Sequence, residues 1–116
     1  MNPGVFVDAT DEMSISREEI FGPVAAVMPF DSEDEVIARA NNSDFGLSGG
    51  VWTRDISRAL RVGSALQTGT VWINTYQQLD PGVSFAGQKT SGFGSDLGEE
   101  AIASYTKTKS IWIDLS

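Results

Sequence analysis

Apolar residues fall along the chain in short runs, and their spacing switches between the strand period and the helix period. Val5-Phe6-Val7 is a short extended piece ending at Asp8, and a polar loop from Ala9 to Ser16 follows with Met13 and Ile15 expected inward. Ala25 to Phe30 is almost continuously apolar, which predicts a strand buried on both faces. Asp31 and Ser32 then stop it and open a helix. Ser32 followed by Glu35 has the form of a capping box, and the acids at 33 to 35 suit the positive end of a helix dipole. Val36, Ile37 and Ala40 form the apolar stripe of that helix, which Asn41-Asn42-Ser43-Asp44 ends.

Gly49 to Thr53 reads as a second strand, its glycines suited to close backbone packing. They have only a loose likeness to a phosphate loop, because no G-x-G-x-x-G or Lys-Ser/Thr spacing accompanies them. Asp55 is a suitable N-cap for a helix to about Leu66, with Ile56, Ala59, Leu60 and Gly63 on one face and Ser57, Arg58 and Arg61 outside. Gly69 is placed to cap its far end. Thr70 to Asn74 is a third strand. Strand–helix–strand–helix–strand with short connections predicts an α/β fold with a parallel sheet and right-handed crossovers.

After Asn74 the periodicity stops. Thr75 to Gly94 reads as one long loop, and loops longer than about 15 residues are usually functional or disordered. Phe85 and Phe93 argue for a docked loop. A short helix from Gly98 to about Tyr105, with Ala101, Ile102 and Tyr105 on one side, leads to the β-rich Ser110-Ile111-Trp112-Ile113-Asp114-Leu115. A terminal apolar strand either joins its own sheet or offers an edge to another chain; pairing with another chain is the expectation here.

Composition narrows the chemistry. A chain of 116 residues is one domain at most, and its net charge of -8, without a basic stripe, repels nucleic acid. The apolar runs of five or six residues fall far short of a membrane span, and no charged n-region precedes an apolar h-region, so a cytoplasmic location is expected. The chain has no Cys and no His. That removes disulfides, Cys or His metal sites, a thiol nucleophile and every triad that uses imidazole.

The candidate site is Glu18-Glu19-Ile20-Phe21-Gly22-Pro23-Val24. Gly22 permits backbone conformations closed to other residues, and Pro23 fixes φ, so together they make a tight corner at a strand entrance. A carboxylate and an aromatic ring two residues apart at such a corner suit a flat, polar ligand. The plainer alternative is a loop with a solvated charge and a ring tucked into the core.

Six blocks in order carry a family resemblance: residues 17–23; Ala40-Asn41-Asn42 with Phe45-Gly46-Leu47; residues 50–55; residues 69–74; residues 89–94; and Gly98 through Tyr105-Thr106 to Lys109. Together they resemble the C-terminal part of an NAD(P)-dependent aldehyde dehydrogenase. The resemblance implies a partial parallel sheet with crossover helices from the catalytic domain over residues 1–106, and an oligomerisation strand over 107–116. It implies that Glu19 hydrogen-bonds the nicotinamide-ribose hydroxyls, that Phe21 packs beside the nicotinamide, that Phe85 and Leu79 line the aldehyde tunnel, and that Asp96 lies near the deacylation site. Ser110 to Leu115 is implied to extend a neighbouring subunit's sheet. Two departures stand out. The family's Pro-Phe-Gly-Gly is Ser84-Phe85-Ala86-Gly87 here, and its nucleophilic Cys, general-base Glu and dinucleotide-binding domain lie upstream of the matched region. The chain alone is therefore expected to be inactive, to bind NAD or NADP weakly or not at all, and to self-associate. The alternative is a standalone, non-catalytic interaction module from that family. Trp72-Ile73-Asn74-Thr75-Tyr76 most resembles the betaine and amino-aldehyde enzymes.

Overall fold

The computed structural model describes residues 2–116, and the middle of the chain follows its sequence punctuation most closely. Helix α2 (Glu33–Asn41) begins at Ser32, whose Oγ accepts the Glu35 N–H at 3.1 Å. Glu35 Oε2 in return accepts the Asp31 N–H at 2.8 Å, so the box closes one residue earlier than its usual form. Helix α3 (Ile56–Ala65) begins at Asp55, whose Oδ1 accepts from Ser57 at 2.9 Å and Arg58 at 3.1 Å. These caps satisfy N–H groups that have no partner within a helix.

The expected three-stranded parallel sheet is instead two separate parallel pairs. Strand β1 (Gly4–Phe6) pairs with β2 (Val24–Ala26), and β4 (Ser48–Val51) pairs with β5 (Thr70–Ile73) across α3. Strand β2 takes β1 as its partner and joins no other strand. It is shorter than the apolar run from Ala25 to Phe30, and alternate residues along it are exposed, as are Val27 and Phe30. The run is thus not buried on both faces. Its ladder ends with Val27 N–H on Phe6 O at 2.8 Å, just ahead of Pro29, which has no N–H to extend it.

Other expectations fail at short range. The polar loop holds a four-residue helix, α1 (Ser14–Arg17); Ile15 is half-buried on it, but Met13 is exposed. Residues 75–94 are not one structureless loop. Strand β6 (Phe85–Ala86) pairs antiparallel with β8 (Ser95–Asp96), and β7 (Gln88–Lys89) pairs antiparallel with β3 (Phe45–Gly46). Two-residue strands are too short for any period to announce. Phe93 is fully exposed, so of the two rings only Phe85 is turned inward. Gly98 leads into a 3-10 turn (Glu99–Ala101) and a four-residue helix, α4 (Ile102–Tyr105). Of the expected inward side, Ala101 is half-buried while Ile102 and Tyr105 are exposed. Residues 106–116 form no regular element, so Ser110 to Leu115 is not a strand within this chain.

On α3 the buried residues are Ala59 and Val62, while Ile56 and Leu60 point to solvent; Gly63 faces Val71 and Ile73 of β5 as expected. On α2, Val36 and Ile37 are half-buried and Ala40 is exposed. The two helices are clamped by Glu33, which accepts from Arg61 Nε at 2.9 Å and Arg58 Nε at 3.2 Å. The Arg61 hydrogen bond, foremost, holds the Glu33 carboxyl below its ordinary value of 4.5. A lowered carboxylate stabilises the fold above the ordinary value and loses that contribution as pH falls through the folded one. The Glu33→Gln variant is therefore expected to flatten the acid limb of a stability-versus-pH curve below about pH 4.5. An unchanged acid limb would remove Glu33 from that account.

The core is thin. Ala9, Ala59, Val62 and Trp72 are its only buried apolar side chains among the residues described. Accessible surface is 9339 Å², against about 6,200 Å² for a compact protein of this mass. The radius of gyration is 19.3 Å, where a compact chain of this length has about 13 Å. Val5, Phe30, Trp52, Leu60, Ile111 and Trp112 are among the large apolar side chains left in water.

Candidate cofactor and substrate site

The corner at residues 18–24 is built from both its ends. Glu18 N–H closes α1 on Ser14 O at 2.8 Å, and Gly4 N–H of β1 holds Pro23 O at 2.9 Å. Between these anchors Val24 N–H reaches back to Gly22 O at 2.8 Å, a tight reverse turn. The left-handed residue is Phe21, at φ 51°, and not Gly22 as the composition suggests. A non-glycine residue in that region is held there by its surroundings at some cost. The effect is to throw the Phe21 ring outward, 94% exposed. The ring is not tucked into the core. Glu19 is also exposed, and its carboxylate has no hydrogen-bond or ion-pair partner among the described residues. A free acceptor thus stands two residues from an open aromatic face, which suits a ligand with vicinal hydroxyls and a flat ring.

The other predicted residues gather elsewhere. Phe85 and Asp96 stand opposite each other in the β6–β8 pair, and both line a cavity of about 260 Å³ with Leu47, Phe93 and Ser104. Leu79 lines a second cavity, of about 420 Å³, with Trp72, Val83 and Ser84. Trp72 ties its indole N–H to Gln78 O at 2.8 Å, which sets the path of the chain into Leu79. Ser84 lines the second cavity and the next residue, Phe85, lines the first. Glu19 and Phe21 line neither. A cavity of about 630 Å³ between α2, α3 and β4 includes none of the predicted residues. No group of three potential metal ligands occurs among the described residues.

Three residues placed in the sequence only as parts of larger blocks prove to be supports of the site. Asn74, at φ 54°, accepts from Thr53 N–H at 2.9 Å and donates to Thr53 O at 2.8 Å. It thereby fastens the exit of β5 to the end of β4, where the segment carrying Leu79 and Phe85 departs. Asn41 ties the end of α2 to that of α3, donating to Ala65 O and accepting from Gln67 N–H, each at 2.8 Å. Lys89 donates to Asn41 O at 2.7 Å and Ser43 O at 3.0 Å, a cation on the free carbonyls of a helix C-terminus. Replacing Asn74 by Ala removes two hydrogen bonds and leaves Ala at a positive φ. It is expected to lower unfolding stability by about 2 kcal/mol in urea titrations; a loss under about 0.5 kcal/mol would show that the clamp does not hold the strand end.

Comparison with known proteins places these elements in context. The aldehyde dehydrogenase family model matches residues 1–111. Betaine aldehyde dehydrogenase of Rhizobium johnstonii is 52% identical over 115 residues, covering 99% of this chain and 24% of that protein. Cytosolic 10-formyltetrahydrofolate dehydrogenase of Xenopus tropicalis is 53% identical over 114 residues, covering 97% of this chain and 13% of that protein. The NAD+ complex of an aldehyde dehydrogenase from Bacillus cereus superposes with a TM-score of 0.89 at 51% identity, over 97% of this chain and 23% of that one. The chain thus spans about a quarter or less of the length of these relatives. A family model matched along nearly the whole chain, and identity above half to several members, lead to one conclusion: this chain belongs to the aldehyde dehydrogenase family.

Proposed function

We propose that this chain is the C-terminal part of the catalytic and oligomerisation region of an NAD(P)-dependent aldehyde dehydrogenase, supplying cofactor and substrate contacts to a larger enzyme. The observation that carries this is the 0.89 TM-score to an NAD+-bound relative, joined to an open carboxylate and ring at Glu19 and Phe21. The proposed substrate is an aldehyde, and a betaine-like or amino aldehyde rests on the run Trp72-Ile73-Asn74-Thr75-Tyr76.

The residues at the corner fit the nicotinamide half of such a cofactor. Glu19 offers a charged acceptor to vicinal ribose hydroxyls, and Phe21 offers a flat apolar face to the ring. The cofactor, when bound, takes up the hydride removed from the aldehyde carbon. The anchored corner fixes where that ring can lie, since both ends are pinned by backbone hydrogen bonds. Phe85 and Leu79 form apolar walls for the aldehyde, and Asp96, opposite Phe85, sets a carboxylate beside the passage. With no Cys in the chain, the nucleophile belongs to residues outside it. Alone, the chain is proposed to be inactive and to associate through its open faces, Ser110 to Leu115 included. The alternative, an interaction module working without the rest of an enzyme, is favoured by those same exposed apolar faces.

Grafting separates the two. A chimera carries this chain in place of the matched quarter of the Rhizobium johnstonii enzyme, and betaine-aldehyde-dependent NADH formation is recorded. Activity within about tenfold of the parent enzyme is expected from equivalent contacts. A folded chimera without activity would favour the interaction module. For the isolated chain, sedimentation above 12.5 kDa is expected, with no heat of NAD binding by calorimetry. A clean monomer, or micromolar NAD affinity, would count against those two expectations in turn.

A further inference from the structure

Ser84, unlike a proline, has no ring to fix the φ of the backbone that enters Phe85. A different restraint acts here. Ser84 donates its hydroxyl to Glu100 Oε2, across from the 3-10 turn. Gly98, at φ 64°, lies so close behind that a Cβ there would fall 2.7 Å from Ser84 N and 2.9 Å from Ser84 Cα. Gly98 N–H also donates to Pro81 O at 3.0 Å. Pro81 sits in the turn Asp80-Pro81-Gly82-Val83, closed by Val83 N–H on Asp80 O at 3.0 Å and by Gly82 N–H on Asp80 Oδ1 at 2.8 Å. The stretch 98–100 therefore holds the chain at Pro81 and at Ser84, just ahead of Phe85. Beyond Ser84 the next residue, Phe85, is half-buried opposite Asp96.

We propose that Glu100 is a positioning residue: by accepting the Ser84 hydroxyl it sets the Phe85 ring and the Phe85–Asp96 pairing, and with them the width of the aldehyde passage. Glu100 touches neither cavity itself and acts only through Ser84. The Ser84 hydrogen bond, foremost, also holds the Glu100 carboxyl below its ordinary range. The proposal rests on Phe85 lining the aldehyde passage, so its test has two arms.

The first arm uses the full chain and needs no activity. Backbone amide exchange at the β6–β8 pair is followed by NMR or mass spectrometry. Ser84→Ala and Glu100→Ala are each expected to speed exchange about tenfold, the size of one charge-assisted hydrogen bond. The double variant should be no faster than either single one. Glu100→Gln, which keeps an acceptor and guards against general loss of fold, should stay within about threefold of the parent. Exchange unchanged in Ser84→Ala, or additive effects in the double variant, would overturn the link. The second arm uses the chimera. Glu100→Ala should raise the KM for aldehyde about fivefold with kcat within about twofold, the pattern of a displaced binding wall. An active chimera whose KM ignores Glu100→Ala overturns the positioning role. A chimera inactive before any substitution overturns instead the enzyme reading, while the exchange arm still decides whether Glu100 holds Phe85 in place.

Discussion

Replacing Glu19 by Ala in the active chimera is expected to lower kcat/KM for NAD about a hundredfold. A carboxylate accepting from two vicinal hydroxyls makes two charge-assisted hydrogen bonds, each worth about 1.5–3 kcal/mol. Losing the pair while water partly compensates leaves about 3 kcal/mol, which is roughly two decades. None of the described residues competes for that carboxylate, since Glu19 has no hydrogen-bond or ion-pair partner among them. The substitution should therefore leave the fold intact, and circular dichroism of the variant should match the parent. Glu19→Gln keeps one neutral acceptor and should fall between the two. Phe21→Ala removes an exposed ring, with little stability to lose, and should raise the KM for NAD without altering the aldehyde KM. A Glu19→Ala chimera within threefold of the parent would remove this corner from the cofactor site.

Gly69→Ala is expected to be the most damaging single methyl group that can be added to this fold. Its Cβ would fall 1.6 Å from Ala86 O and 3.4 Å from Leu47 O, and both are backbone atoms. Gly69 was expected as the cap of α3. The helix instead ends at Leu66 in extended conformation, and Gly69 carries no left-handed φ. What requires glycine there is the approach of β6 to the start of β5, where Gly69 N–H meets Gly46 O at 3.0 Å and Thr70 N–H meets Leu47 O at 3.2 Å. The variant must either detach Ala86, opening the Phe85–Asp96 pair, or shift the start of β5. Either should cost about 3 kcal/mol or more, read as a lower urea midpoint at unchanged slope. Gly22→Ala is the control. Its Cβ would meet only the side chain of Ile20 at 3.6 Å, so a change within about 0.5 kcal/mol is expected. Equal stabilities for Gly69→Ala and the parent would mean that β6 does not pack on β5 as described.

Both helix starts were legible because each is a local event. Ser32 with Glu35, and Asp55 with Ser57 and Arg58, lie within one turn, so composition alone determines the hydrogen bonds. The parallel pairing of β4 with β5 was legible because a helix between two apolar runs leaves few other topologies. The candidate corner was visible as a motif, but its geometry was not: the outward throw of Phe21 comes from anchors at Ser14 and Gly4, both distant in sequence from the ring.

Sequence by itself therefore determined the capped helices, the α/β class, the exclusion of thiol and imidazole chemistry, and the family. Tertiary structure decided how the strands divide into pairs, and which glycine is held by a neighbouring backbone. It also decided that Phe85 meets Asp96 across a two-residue ladder, with Ser84 held by Glu100. The physical reason is range. A cap or a helical stripe is written within one or two turns, while a cross-strand pair or a close backbone approach depends on residues 11 to 17 positions apart, as Asp96 is from Phe85 and Ala86 from Gly69. Burial reaches further still. Val27, Phe30 and Leu60 are apolar in sequence yet exposed here, because burial depends on what lies against a face, and none of the described residues covers theirs.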